Sequence, residues 1–158
     1  MSGIGNRTTN IQTLRRAIDA AERKALHPLG LTVAGFELLD ILSRDPGITV
    51  PWAAARMNVS KQSTTTVLLR LAEAGLISRH PATPPDRSAA LRLTTAGRTT
   101  LEAARAAVSR VDAAFTAGYR REELRELDRL LGVAVSAFPN ERLTRVRAGT
   151  AVTQPAAA

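Results

Sequence analysis

The sequence predicts a mainly α-helical chain with one small β-hairpin, and three observations carry that expectation. Two short helical segments meet across a tight turn at Asn58 and Ser60, proline-framed strands follow over residues 77–94, and apolar stripes at three- and four-residue spacing occupy both ends of the chain. At 158 residues the chain suits one domain with appended helices.

Residues 1–9 are small and polar and read as a flexible arm carrying Arg7. A helix is expected over 10–26, with Ile11, Leu14, Ile18, Ala21 and Ala25 on one narrow stripe that suits either a core or a partner surface. His27-Pro28-Leu29-Gly30 breaks it. Thr32 can cap the next helix, in which Phe36, Leu38, Leu39, Ile41 and Leu42 supply core, and Asp45-Pro46-Gly47 ends it. Thr49 and Pro51 start a short helix with Ala53, Ala54 and Met57 at core spacing, stopped by Asn58, a residue comfortable in the left-handed conformation. Ser60 opens another, on which Val67, Leu71 and Ala74 are expected to face inward and Gln62, Thr65, Thr66 and Leu69 outward.

Ala74-Gly75-Leu76-Ile77 closes that helix and starts a strand, Ile77 to His80; prolines 81, 84 and 85 force a turn, and Ala89 to Thr94 returns with Leu91 and Leu93 on one face. Two helices in a tight turn followed by a hairpin make a winged helix-turn-helix, here about residues 32–97. Thr94 can cap a helix over 95–117 with Leu101, Ala104, Val108, Val111 and Phe115 on its stripe. A last helix, 121–138, carries Leu124, Leu127, Leu131, Ala134 and Phe138. Heptad spacing on both, and on the helix over 10–26, suits packing at a shallow angle against one another or a second copy, so these are the expected dimerisation helices. Residues 139–158 lose periodicity and read as a flexible basic tail.

Lys and Arg total 22 against 14 Asp and Glu, a net charge of +8 that favours a polyanionic partner, although 20 of the 22 are Arg, a bias that the nucleotide composition of a genome alone can produce. Its distribution decides: from Arg44 to Arg98 there are eight basic and three acidic residues, a net of +5 in the winged third of the chain. With no cysteine, disulfides and thiolate metal sites are excluded. No stretch approaches the roughly 18 apolar residues of a membrane span and the start lacks an apolar signal core, so a cytoplasmic protein with no membrane partner is expected.

The sequence offers no enzyme site. His27 and His80 stand apart without metal-ligand spacing, no Gly-x-Ser-x-Gly elbow or glycine-rich phosphate loop occurs, and the acidic residues fall on helix exteriors. No metal or cofactor is expected. The helix after Ser60 instead presents short uncharged hydroxyl and amide groups of the type that can enter a major groove and hydrogen-bond base edges. A solvated face is the bland reading of Gln62, Ser63, Thr65 and Thr66, yet three successive threonines are poor helix formers. Arg70, Arg79 and Arg92 are candidate phosphate contacts, or solubilising charges. Trp52 is expected to pack near its helix start.

Leu71-x-x-x-Gly75-Leu76-Ile77, then Asp86-Arg87, then Leu93-Thr94-x-x-Gly97 resemble, in order and context, the multiple antibiotic resistance regulator (MarR) family, and the resemblance extends over residues 10–138. It implies a homodimeric, ligand-responsive transcriptional regulator, most often a repressor, on a pseudo-palindromic operator in double-stranded DNA. Ser60, Lys61, Gln62, Ser63, Thr65, Thr66 and Arg70 would form the recognition helix, and Arg79, Asp86, Arg87 and Arg92 the wing, with Arg87 in the minor groove. Family members often carry a basic residue at the position of Thr66 and an acidic one at that of Leu69, so this recognition helix is less charged. The family's effector site, where the first, second and fifth helices meet, would include His27, Phe36 and Arg105, and small aromatic acids are the first effectors to test. Two other classes remain open from the residues: a DNA-binding architectural protein without sequence preference, and a winged helix used to bind protein.

Overall fold

A computed structural model describes residues 4–80 and 90–138. The chain runs α1 (Ile4–Leu26), a 3-10 turn (His27–Leu29), α2 (Val33–Arg44), α3 (Val50–Arg56), α4 (Lys61–Glu73), β1 (Ile77–His80), β2 (Ala90–Leu93), α5 (Thr95–Thr116) and α6 (Arg121–Ser136). β1 and β2 pair antiparallel, with Ile77 opposite Leu93 and Arg79 opposite Leu91. The fold is therefore the expected one, mostly helical with a two-stranded wing.

The core lies where α2, α4, β2 and α5 meet. Leu26, Leu38, Leu39, Leu42, Leu68, Leu91 and Leu101 are fully buried there, and truncating any of them to Ala would cost roughly 2–5 kcal/mol. Hydroxyl caps set three of the helix starts: Thr32, Ser60 and Thr94 each accept from the amide three residues on, Gly35, Ser63 and Gly97. Thr49 precedes α3 without a side-chain cap, and Pro51 occupies the first turn, where no intrahelical N–H is needed. Thr94 also donates through Oγ1 to Gly75 O at 2.7 Å, and its amide donates to Leu76 O at 3.1 Å, which joins the base of the wing to the start of α5.

Two expectations are corrected. The arm over residues 1–9 is helical from Ile4 onward. No proline intervenes, and Thr8, Thr9 and Asn10 each cost only tenths of a kcal/mol in a helix. The inward face of α4 is Thr64, Leu68 and Leu71, with Val67 half-buried, whereas Ala74 is exposed. Thr64 can be buried because its hydroxyl donates to Ser60 O at 3.0 Å, leaving no orphan polar group.

α1 packs along α5, while α6 buries none of its residues. Ile11 is 64% exposed on α1, and Val135 and Phe138 are 72% and 84% exposed at the end of the chain described. Among the described residues no single helix is long and apolar enough to cross a membrane.

Candidate nucleic-acid interface

The turn between α3 and α4 is fixed by backbone hydrogen bonds. Asn58, at φ 54°, takes the left-handed position that ends α3; its amide donates to Ala55 O at 3.2 Å and that of Val59 to Ala54 O at 3.0 Å, a paired bonding pattern that caps helix C-termini. The same pattern ends α4, with Gly75 at φ 69° and the amides of Gly75 and Leu76 donating to Ala72 O and Leu71 O, both at 2.9 Å. α4 is thus held at both ends by local geometry and along its length by Leu68 and Leu71, which sink into the core.

Its other face is open. Lys61, Gln62, Ser63, Thr66, Leu69 and Arg70 are exposed and Thr65 is half-exposed. The Thr65 hydroxyl donates to Lys61 O at 2.8 Å and that of Thr66 to Gln62 O at 3.1 Å, so each threonine spends its hydrogen on its own helix. The Ser60 and Ser63 hydroxyls lie 2.8 Å apart and share a hydrogen. The Gln62 amide, in contrast, has no partner among the described residues and keeps both donor and acceptor for another molecule.

Basic groups flank this face and occur on the hairpin and on α3. Lys61 and Arg70 stand on its flanks, and Arg92, opposite Ser78 in the hairpin, is exposed beside Arg98. Arg56 lies 5.2 Å above the half-buried Trp52 ring and 3.8 Å from Asp45, so α3 holds its own cation in place. Trp52 packs near its helix start as expected. The Arg79 side chain, Asp86 and Arg87 lie outside the described residues.

The three residues singled out for an effector stand in different surroundings. His27 is exposed in the turn after α1, and Phe36 packs half-buried against the core. Arg105 points instead to α2: its Nε and Nη2 donate to Asp40 Oδ1 at 3.0 and 2.8 Å, Nη2 to Ser43 Oγ at 2.6 Å and Nη1 to Glu102 Oε1 at 3.1 Å. The hydrogen bond to Asp40, ahead of the charge of Glu102, holds this guanidinium above its ordinary range. What sequence reasoning missed is a groove of about 690 Å³ between α1 and α5, floored by Ile18, Ala21, Ala107, Val111 and Phe115, with Lys24 and Arg110 beside it. Ile18, Ala21, Val111 and Phe115 belong to the two apolar stripes, which the sequence offers as core or partner surface; Lys24 and Arg110 on their edges were the unread signal.

The sequence model of the MarR family matches residues 29–88. The HTH-type transcriptional repressor Rv2887 of Mycobacterium tuberculosis is 36% identical over 107 residues, which span 68% of this chain and 77% of the repressor. The solved structure of Rv2887 in complex with DNA superposes with a TM-score of 0.69 at 29% identity, covering 81% of this chain and 96% of that one; its complex with salicylic acid gives 0.69 at 29%, covering 85% and 99%. CouR from Rhodococcus jostii RHA1, bound to p-coumaroyl-CoA, shares the fold with a TM-score of 0.74 at 23% identity over 87% of this chain and 97% of its own.

Proposed function

The chain belongs to the MarR family of transcriptional regulators, and from that premise we propose that it is a homodimeric repressor that binds a pseudo-palindromic operator through one winged helix per subunit and releases it on binding a small aromatic acid. The observation that carries the reading is α4: a capped, core-anchored helix whose outer face is uncharged at its centre and cationic at its flanks. Such a face suits base contacts in the middle and phosphate contacts at the edges. The Ser60, Lys61, Gln62, Ser63, Thr65, Thr66 and Arg70 side chains take those roles, with Arg79, Asp86, Arg87 and Arg92 serving the wing.

Dimerisation follows from surface that one copy leaves uncovered. α6 buries none of its residues and exposes Leu130, Leu131, Val133 and Val135, more large apolar side chains than one helix of a free subunit ordinarily leaves uncovered. Ile11 and Leu14, exposed on α1, add apolar surface of the same kind. The acid-binding part of the reading rests on the groove between α1 and α5, where an aromatic ring would cover the apolar floor and a carboxylate would meet Lys24 or Arg110. An acid bound there releases DNA only by preferring a spacing of the winged units that the operator cannot accept, and each ~1.4 kcal/mol of preference lowers operator affinity tenfold.

The experiment is competition. Full-length protein is bound to a labelled duplex selected from a random pool and challenged with unselected duplex. Selective retention supports the repressor; equal competition points to an architectural protein, and no binding at low salt to a protein-interaction module. Arg87→Ala separates positioning from reading: it weakens selected and unselected duplex by similar factors and lowers the slope of log affinity against log salt by about 1.

A further inference from the structure

The centre of the outer face of α4 is less polar than its sequence suggests. On a helix turning about 100° per residue, Gln62, Thr66 and Leu69 lie within roughly 60° of one another, opposite the buried Thr64, Leu68 and Leu71, while Lys61 and Arg70 stand about 110° and about 70° from the middle of that arc on its two sides. Leu69 is 50% exposed in the middle of this face. A lone exposed leucine is ordinary on a protein surface. Its neighbours make this one different. Because Thr65 and Thr66 donate their hydroxyl hydrogens to Lys61 O and Gln62 O, they offer outward their methyl groups and acceptor lone pairs only.

Such a face is mismatched to guanine, whose O6 and N7 demand donors, for no charged donor stands at its centre. It matches adenine and thymine. Gln62 retains the free amide that pairs bidentately with adenine N6 and N7, the threonine lone pairs suit an amino group, and the C5 methyl of thymine is the apolar group that major-groove edges of unmodified DNA present.

Resting on the reading that α4 enters the major groove, we propose that Leu69, with the methyl groups of Thr65 and Thr66, recognises thymine by its C5 methyl, so that the preferred half-site is built on T·A pairs. Leu69 is then a specificity-determining residue that works by apolar contact, and its loss alters which bases are preferred more than how strongly phosphates are held.

Replacing thymine by uracil removes that methyl and keeps every base pair, which makes it the test. A duplex selected from a random pool by the full-length protein is resynthesised with deoxyuridine for each half-site thymidine, and both forms are titrated at one salt concentration. The expected result is about fourfold weaker binding per contacted methyl, the effect of losing one buried methyl-sized group. Leu69→Ala should bring the thymine-to-uracil ratio towards 1 while Leu69→Met keeps it; Thr66→Val, which retains the methyl, should preserve the ratio and Thr66→Ser lower it. Equal affinity of the wild type for both duplexes, or a ratio unmoved by Leu69→Ala, overturns the proposal while leaving sequence-specific binding intact. If no duplex is preferred over unselected DNA, the groove reading itself has failed and this inference with it.

Discussion

Gly97→Ala tests how the wing is fastened to the long helix. Gly97 is buried in the first turn of α5, and a methyl group built on it would fall on the Leu76 carbonyl oxygen, well inside van der Waals contact, and 2.9 Å from the carbon bearing it. The obstacle is backbone and cannot rotate away. Moving it disturbs the Thr94 amide bond to Leu76 O and the Thr94 hydroxyl bond to Gly75 O, which together join β1 to α5. Alanine gains about 1 kcal/mol over glycine in a helix, while overpacking costs typically 1–3 kcal/mol and more where the neighbour is fixed. With the clash at the upper end of that range, the net loss is roughly 2 kcal/mol. For a chain of this size that lowers Tm by about 4–8 °C. Circular dichroism melts of the two proteins at equal dimer concentration measure it. An unchanged or raised Tm would refute the close packing of α5 on the wing base.

Three further outcomes follow from local geometry. Ser60→Ala removes the oxygen that accepts from the Ser63 amide and should cost about 1 kcal/mol in a urea titration, with Ser60→Gly costing only a few tenths; equal losses would mean the cap contributes nothing. Asp40→Ala strips the carboxylate shared by Arg105 and Arg44, each at 2.8 Å, and because both arginines reach solvent the loss should be about 1 kcal/mol at low salt and shrink as salt rises; a salt-independent change would contradict an ionic origin. Desolvation, with the nearby Glu22 charge second, raises the Glu37 carboxyl above its ordinary 4.5. The folded state therefore holds this proton more tightly than the unfolded one, so the charged Glu37 destabilises above its folded pKa and the penalty fades as pH falls through that value toward 4.5. Glu37→Gln should accordingly raise the urea midpoint at neutral pH and lose the advantage on acidification, and an advantage that grew on acidification would reverse the assignment.

Much of the architecture was legible because certain residue types have one local reason to stand where they do. Thr32, Ser60 and Thr94 accept from the third amide onward, Asn58 and Gly75 take positive φ, and Gly97 meets a backbone. These reasons are local in sequence. The inward face of α4 was harder, since a threonine among three looks polar until its hydroxyl is seen to be satisfied by Ser60 O, and the register that includes Thr64 then brings in Leu68 rather than Ala74. The pairing of Arg105 was hidden for the opposite reason. Its partner Asp40 lies 65 residues away on another helix, and nothing in either residue's neighbourhood announces the pair. The recognition-helix residues themselves are brought to one surface as expected; that their hydroxyl donors are already engaged depends on rotamers that spacing does not encode.

A symmetric dimer reading two half-sites should leave its symmetry in a hydroxyl-radical footprint of the full-length protein on its selected duplex. Two matched protected segments related by a dyad are expected, with centres about one helical turn or roughly 34 Å apart, and loss of that pattern, with diffuse binding retained, when Gln62 and Leu69 are both replaced by alanine. A single protected segment, or a footprint that spreads without symmetry along any duplex, would contradict such a dimer.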